Sequence, residues 1–189
     1  MSNERCPWTG NDPLYIQYHD NEWGNPVLDD DKLFEFLILE TFQAGLSWIT
    51  ILRKRENFRV SFDQFNCKKI AEYDEQKVIE LLSNAGIIRN KLKIRAAISN
   101  AKAFIKVQKE FGSFSKYLWG FVSQKPIVNY FEKMNEVPAT TELSDKISKE
   151  LKNRGFKFIG STVIYAHMQA CGLVNDHLVS CFKHPLKQL

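Results

Sequence analysis

The chain has 189 residues, 44% hydrophobic and 13% aromatic, enough to build the core of one domain of two small packed lobes and too apolar for a disordered segment. No apolar run reaches the roughly 18 residues a bilayer span needs, and the opening MSNERCPWTGNDPLY lacks a charged-then-apolar signal pattern. A soluble cytoplasmic protein without membrane association is therefore expected. Four cysteines (Cys6, Cys67, Cys171, Cys181) in that setting point to thiols or a metal and argue against a disulfide framework. The net charge of +4 is unevenly spread: residues 1–31 hold seven acids against Arg5, leaving −6 there and +10 on the remainder. That asymmetry suits a polyanion-binding face, and a merely solvated basic surface would look the same.

Nearly every segment reads as helix, which predicts an all-α fold. Asp12 and Pro13 pair a capping residue with a first-turn proline ahead of LYIQYHDNEW. DDDKLFEFLILETF carries its acids at the head, where the helix dipole favours them. Ser47 is placed to cap WITILRKRENF, and Asp74 to cap EQKVIELLSNA. NKLKIRAAISNAKAFIKVQKEF stops at Gly112, SDKISKELKNR at Gly155, and STVIYAHMQA near Gly172.

Two stretches read as helix, glycine turn, helix: residues 81–94 and 151–164. In the second, Gly155 closes one helix, Gly160 allows close backbone approach, and Ser161 and Thr162 are placed to cap the next helix. Free N–H groups at such an N-terminus attract anions, and Lys149, Lys152, Arg154 and Lys157 surround the turn. The segment is either a grip on a phosphate backbone or a plain αα-corner with a basic surface.

Three groups of side chains could carry chemistry. Tyr15, Tyr18 and His19 lie at helical spacing, with Trp8 and Trp23 flanking them, in the most acidic part of the chain. They are core aromatics or a stacking box for a flat, preferably cationic ligand. Glu40 falls among Leu33, Phe36 and Leu37 on a helical wheel, so it must reach the edge, pair with an arginine, or be used. Trp48 stands one turn beyond, past Gly45 and Leu46. Finally, His177 and Cys181 lie four apart, as do His167 and Cys171. Cys6 and His19 with His177 and Cys181 would make a Cys₂His₂ set suited to structural zinc, tying the two ends of the chain together. His167 and Cys171 sit in an apolar helix and read as core.

Taken together, DPLYIQYHDNEWG, QAGLSWITILRKRENF, NAGIIRNKLKI, RGFKFIGST and QACGLVNDH resemble the bacterial 3-methyladenine DNA glycosylase I family, over Cys6 to about Cys181. The resemblance implies a single helix-hairpin-helix glycosylase unit whose termini are joined by structural Zn²⁺ on Cys6, His19, His177 and Cys181. It implies base recognition by Glu40, and stacking by Tyr18 and Trp48 with Tyr15, Trp8 and Trp23 nearby. It also implies a DNA-gripping hairpin at Gly155, Lys157, Gly160, Ser161 and Thr162, and a wedge at Leu46. The implied partner is double-stranded DNA with alkylated bases, and free 3-methyladenine is the product of a monomeric enzyme. In the wider superfamily an Asp often stands two residues before the histidine of a V-D-x-H segment, where it supports attack at the sugar. Here that position is Asn175, Asp176 is not given the role by proximity, and no lysine matches a bifunctional nucleophile, so strand cleavage is not expected. A module that binds alkylation damage without excising it would share fold, hairpin and zinc. A catalytic metallohydrolase would need an open metal position.

Overall fold

In the computed structural model, residues 4–188 are described. Helices account for most of them: α1 (Pro13–Asn21), α2 (Asp30–Gln43), α3 (Trp48–Ser61), α4 (Cys67–Ala71), α5 (Glu75–Ser83), α6 (Lys91–Phe111), α7 (Phe114–Gly120), α8 (Glu142–Asn153) and α9 (Ser161–Ala170). The expectation of an all-helical chain is met with one departure. Two-residue strands β1 (Ile127–Val128) and β2 (Val174–Asn175) pair in parallel, Ile127 against Val174. No helix among the described residues is long and apolar enough to cross a membrane.

The helix starts follow local chemistry. Asp12, Asp29 and Asp74 accept hydrogen bonds from backbone N–H groups in the first turns of α1, α2 and α5, satisfying donors that the helix leaves free. Ser47 does occupy the capping position of α3, but its hydroxyl bonds Thr50 Oγ1 at 2.7 Å and caps no backbone group. Asp30 reaches across to the start of α7, where its carboxylate accepts from the N–H groups of Phe114 and Ser115, both at 2.8 Å.

Helix α2 is the centre of the molecule and packs against α3, α6, α7 and α9. Every residue from Leu33 to Phe42 is buried, so the helix has no polar face to give to solvent. The amphipathic stripe read from sequence is therefore replaced by burial on all sides, the pattern of a core helix. One hydrophobic cluster runs from Tyr18 through α2, α3, α6 and α7 to Val174.

The two ends of the chain meet beside this core. Gly24 N–H donates to the Gln169 carbonyl at 3.1 Å, Val27 N–H to Cys171 at 3.0 Å, and Phe182 N–H to Glu4 at 2.9 Å. Gly172 makes this approach possible. Its φ is +70°, and a Cβ there would stand 2.5 Å from the Asn25 carbonyl carbon. Both the torsion and the contact demand glycine. Gly172→Ala should therefore lower the unfolding free energy in urea by more than about 2 kcal/mol; an unchanged midpoint would contradict the packing of residues 24–27 on 171–172.

Candidate functional site

A cavity of about 290 Å³ opens where the chain ends meet α2 and α3, at the lower end of the range for small-molecule sites. Trp8, Tyr15, Tyr18 and Trp23 line it from the N-terminal segment, Glu40 and Gln43 from α2, and Trp48 from the start of α3. All six residues expected to form an aromatic and acidic box are thus brought together. The rings meet at angles: Trp8–Tyr15 at 4.9 Å, Trp8–Trp23 at 5.1 Å and Tyr18–Trp48 at 5.4 Å between centroids.

Sequence reasoning missed the far wall. Met134, Val137 and Pro138 come from the long connection after β1, and Ala166, Gln169 and Asp176 from α9 and β2 onward. The loop residues carry no local signal, because long-range contacts bring them near: the β1–β2 pairing, Val179 N–H on the Phe131 carbonyl, and Val137 packed against the Cys6, Leu178 and Cys181 cluster. Gln169 and Asp176 had one: polar side chains in otherwise apolar runs.

Glu40 is 4% exposed, and its Oε2 has no hydrogen-bond partner among the described residues; the Trp48 indole N–H is orphaned in the same way. Burial alone pushes the Glu40 carboxyl up to about 8 from an ordinary 4.5. The bland readings of this glutamate, escape to the surface or pairing with an arginine, both fail. Glu35 shows the contrast. It is also buried, but Arg55 Nε (2.7 Å), Arg59 (2.8 Å) and Lys32 (3.1 Å) surround it. Burial pushes Glu35 up, yet the charge and hydrogen bonds of Arg55 hold it below the usual carboxylate range.

Cys6, His19, His177 and Cys181 are all buried, and their donor atoms lie within 4.8 Å of one another. Cys181 Sγ is 3.4 Å from His19 Nε2 and 3.5 Å from His177 Nδ1, and Cys6 Sγ is 3.7 Å from His177 Nδ1. The ring nitrogens turned away from the cluster are engaged: His19 Nδ1 with the Asp20 carboxylate at 2.8 Å, and His177 Nε2 with the Trp23 carbonyl at 3.2 Å. Arg5 in turn donates to both Asp20 oxygens. Two rings with outward nitrogens fixed and inward ones facing two sulfurs are compatible with a metal site. His167 and Cys171 do not join them. His167 Nε2 lies 3.1 Å from the Leu33 carbonyl, and burial pushes its imidazole down to about 4, as expected for a core pair.

The turn between α8 and α9 departs from the sequence reading in one respect. Neither Ser161 nor Thr162 caps α9: Gly160 holds the capping position without a side-chain bond, Ser161 Oγ lies 2.7 Å from Ser144 Oγ, and Thr162 is exposed. Ser144, buried in α8, outcompetes the backbone for that hydroxyl. Asn100 of α6 fixes the turn by accepting from Lys157 N–H at 2.7 Å and donating to its carbonyl at 3.1 Å. Lys149, Lys152 and Lys157 are exposed, whereas Arg154 is engaged by Glu110 and Glu150. Leu46 stands in the exposed segment after α2, 41% accessible. The segment is held from behind by Lys93, whose buried ammonium donates to the carbonyls of Phe42 (2.9 Å) and Ala44 (2.6 Å).

Fold and site together define a helical protein with a slot for one flat ligand and a basic turn at the head of α9, the helix that leads into that slot. The family model described as methyladenine glycosylase matches residues 8–184. The chain belongs to that family. It is 52% identical over 182 residues to DNA-3-methyladenine glycosylase 1 of Escherichia coli (strain K12), which covers 96% of this chain and 97% of that protein. A crystal structure of a 3-methyladenine DNA glycosylase I superposes with a TM-score of 0.94 at 52% identity, covering 96% of this chain and 100% of that one. A variant of such an enzyme in complex with 3-methyladenine superposes with a TM-score of 0.93 at 35% identity, covering 96% and 97%.

The raised Glu40 carboxyl has a stability consequence. The unfolded chain loses this proton near 4.5, and the folded protein keeps it to about 8. The stabilising difference is complete below about pH 4.5 and is lost progressively as pH rises to about 8. Glu40→Gln removes the proton-linked loss, so the variant should gain stability relative to wild type between pH 5 and 8, with no further gain above. A constant difference across urea titrations at several pH values would mean that Glu40 is ionised in the folded protein.

Proposed function

We propose that this protein is a monofunctional DNA glycosylase, a hydrolase that removes 3-methyladenine from alkylated double-stranded DNA by base flipping. The observation that carries the reading is Glu40: a buried carboxylate with an unpartnered oxygen and no counter-ion, lining a slot walled by electron-rich rings. That combination is costly to build and suits a flat, positively charged guest.

N3-methylated adenine is such a guest while it is still attached to its sugar. The ring faces of Tyr18 and Trp48, with Tyr15, Trp8 and Trp23 around them, attract the cation. Its arrival lowers the Glu40 carboxyl, because an opposite charge at close range favours the ionised form. The carboxylate then accepts hydrogen bonds from N–H groups on the base edge in a low-dielectric slot. The C1′–N bond breaks, the base departs as the neutral molecule with the bonding pair, and positive charge appears on the sugar. Water adds to C1′ and releases a proton. Unmodified adenine brings no charge and a stronger bond, so binding and reactivity both disfavour it. No lysine stands at the site to form a covalent sugar adduct, so the strand is left uncut.

The turn at Gly155, Lys157, Gly160, Ser161 and Thr162 is read as the hairpin that holds the phosphate backbone. Gly160 supports this: its torsions are ordinary and a Cβ there would meet nothing within 4 Å. No described residue crowds this position, so the backbone there is open to close approach by an outside partner. Leu46 is read as the wedge that fills the space of the extruded base. The main hydrophobic cluster, continuous from Tyr18 to Val174, supports one folded unit.

Zinc is the ion that the Cys₂His₂ set fits. Tetrahedral zinc with ordinary Zn–S and Zn–N lengths separates sulfur from nitrogen ligands by roughly 3.5 Å, and the three measured pairs run from 3.4 to 3.7 Å. With four protein ligands it would supply no reactive water, and its work would be to hold the chain ends together.

Release of free 3-methyladenine from methylated duplex DNA is the direct test, with 7-methylguanine followed in the same sample. Wild type should release 3-methyladenine selectively, and Glu40→Gln should lose at least about 100-fold in rate while staying folded. Damage binding without release by folded, metal-replete protein would favour the non-excising binding module. Stripping the metal should lower thermal stability and activity together. Activity lost with an unchanged melting transition would mark a catalytic metal.

A further inference from the structure

Three carboxylates among the described residues are nearly fully buried: Glu35, Glu40 and Asp176, at 6%, 4% and 2% exposure. Glu35 is surrounded by cations. The other two are paired with no cationic side chain of the described residues, and both line the same cavity. Asp176 is held by neutral donors alone. Asn129 Nδ2 donates to Oδ1 at 2.7 Å, while the Tyr165 hydroxyl (2.6 Å) and Gln169 Nε2 (2.8 Å) donate to Oδ2. These donors bring no positive charge. Two buried acids without counter-ions in one slot are expensive unless the occupant supplies the charge.

We infer that Asp176 is a second electrostatic contact for the substrate, stabilising the positive charge that reaches the sugar as the base leaves. This rests on the glycosylase reading. The two acids differ in what they can offer. Glu40 has an oxygen free to accept hydrogen bonds, which suits the N–H groups of a base edge. Asp176 already accepts three hydrogen bonds of the roughly four its oxygens can take, so what remains to it is its charge. A sugar cation has no N–H to donate at C1′ or O4′, and a fixed anion is what stabilises it. The positions agree: Glu40 stands on α2, while Asp176 stands on the separate wall that follows β2. The neutral donors also keep Asp176 from moving when charge develops, so no reorganisation is needed at that moment.

Asp176→Asn tests the charge. Both amide neighbours can flip and the tyrosine hydroxyl can rotate, so an asparagine can be hydrogen-bonded in the same place. Single-turnover release of 3-methyladenine from methylated duplex should fall at least about 10-fold. Affinity for free 3-methyladenine, which carries no sugar, should stay within twofold of wild type. Tyr165→Phe removes one donor and keeps the charge, so its rate should fall less than threefold. A D176N rate within twofold of wild type would overturn the inference. So would parallel loss of rate and free-base affinity, or a Tyr165→Phe defect as large as that of D176N, since each would make Asp176 a builder of the wall. No release by wild type would overturn the glycosylase reading and this one with it.

Discussion

The meeting of the two chain ends is the constraint from which the site follows. Residues 4–27 supply four of the aromatic rings around the slot, and residues 166–176 supply its opposite wall together with Met134, Val137 and Pro138. Neither stretch is a rigid platform alone: α1 is a nine-residue helix, and β2 a two-residue strand. Their registration comes from the buried Cys/His cluster, from the Asp20 and Trp23 contacts behind its two rings, and from the backbone bonds that cross at Gly24, Val27 and Phe182. Gly24 sits so close to this cluster that a Cβ there would stand 2.8 Å from His177 Nε2. Packing around the cluster therefore sets the distance between Trp23 and the far wall.

Charge is distributed with the same logic. Acids needed for structure are met by cations or by backbone N–H groups: Glu22 and Glu35 by Arg55, Asp20 by Arg5, Asp30 by the start of α7. Acids inside the slot are met by neither. An empty slot of this kind disfavours two negative charges, and a cationic guest relieves the penalty. Selection for positive charge thus needs no cationic or anionic partner that must first be displaced, and the aromatic walls reinforce it from the sides. Neutral purines of the same outline gain the stacking and lose the rest.

Much of this was legible before any coordinates, and the reasons differ by residue. Asp12 and Asp74 announced helix starts because capping is a local matter of one side chain and the next three N–H groups. Glu40 stood out because an acid among Leu33, Phe36 and Leu37 has no inexpensive place to go. The Cys₂His₂ set needed more than spacing, which left HLVSC and HMQAC equivalent; the apolar run around HMQAC marked that pair as core, and the family resemblance then pointed to the same four ligands. What stayed hidden was whatever long-range packing decides. Met134, Val137 and Pro138 reach the slot through the β1–β2 pairing and the contacts of Asn129 and Phe131 with the C-terminal segment. Ser161 lost its expected capping role to a buried serine seventeen residues earlier, and α2 proved to be buried on every side because four other helices surround it.

The closure of the ends also sets an order of events during synthesis. Trp8, Tyr15, Tyr18 and Trp23 leave the ribosome well before the residues they meet in the slot and the cluster, from Gln169 to Cys181. Helices α2 to α7 can pack on one another meanwhile, because their contacts lie within the middle of the chain. A nascent chain thus carries Cys6 and His19 without their cluster partners until His177 and Cys181 have emerged. The wall that Gln169 and Asp176 give the slot forms only after the aromatic side has been made, and a chain cut short before His177 would hold half of the cluster.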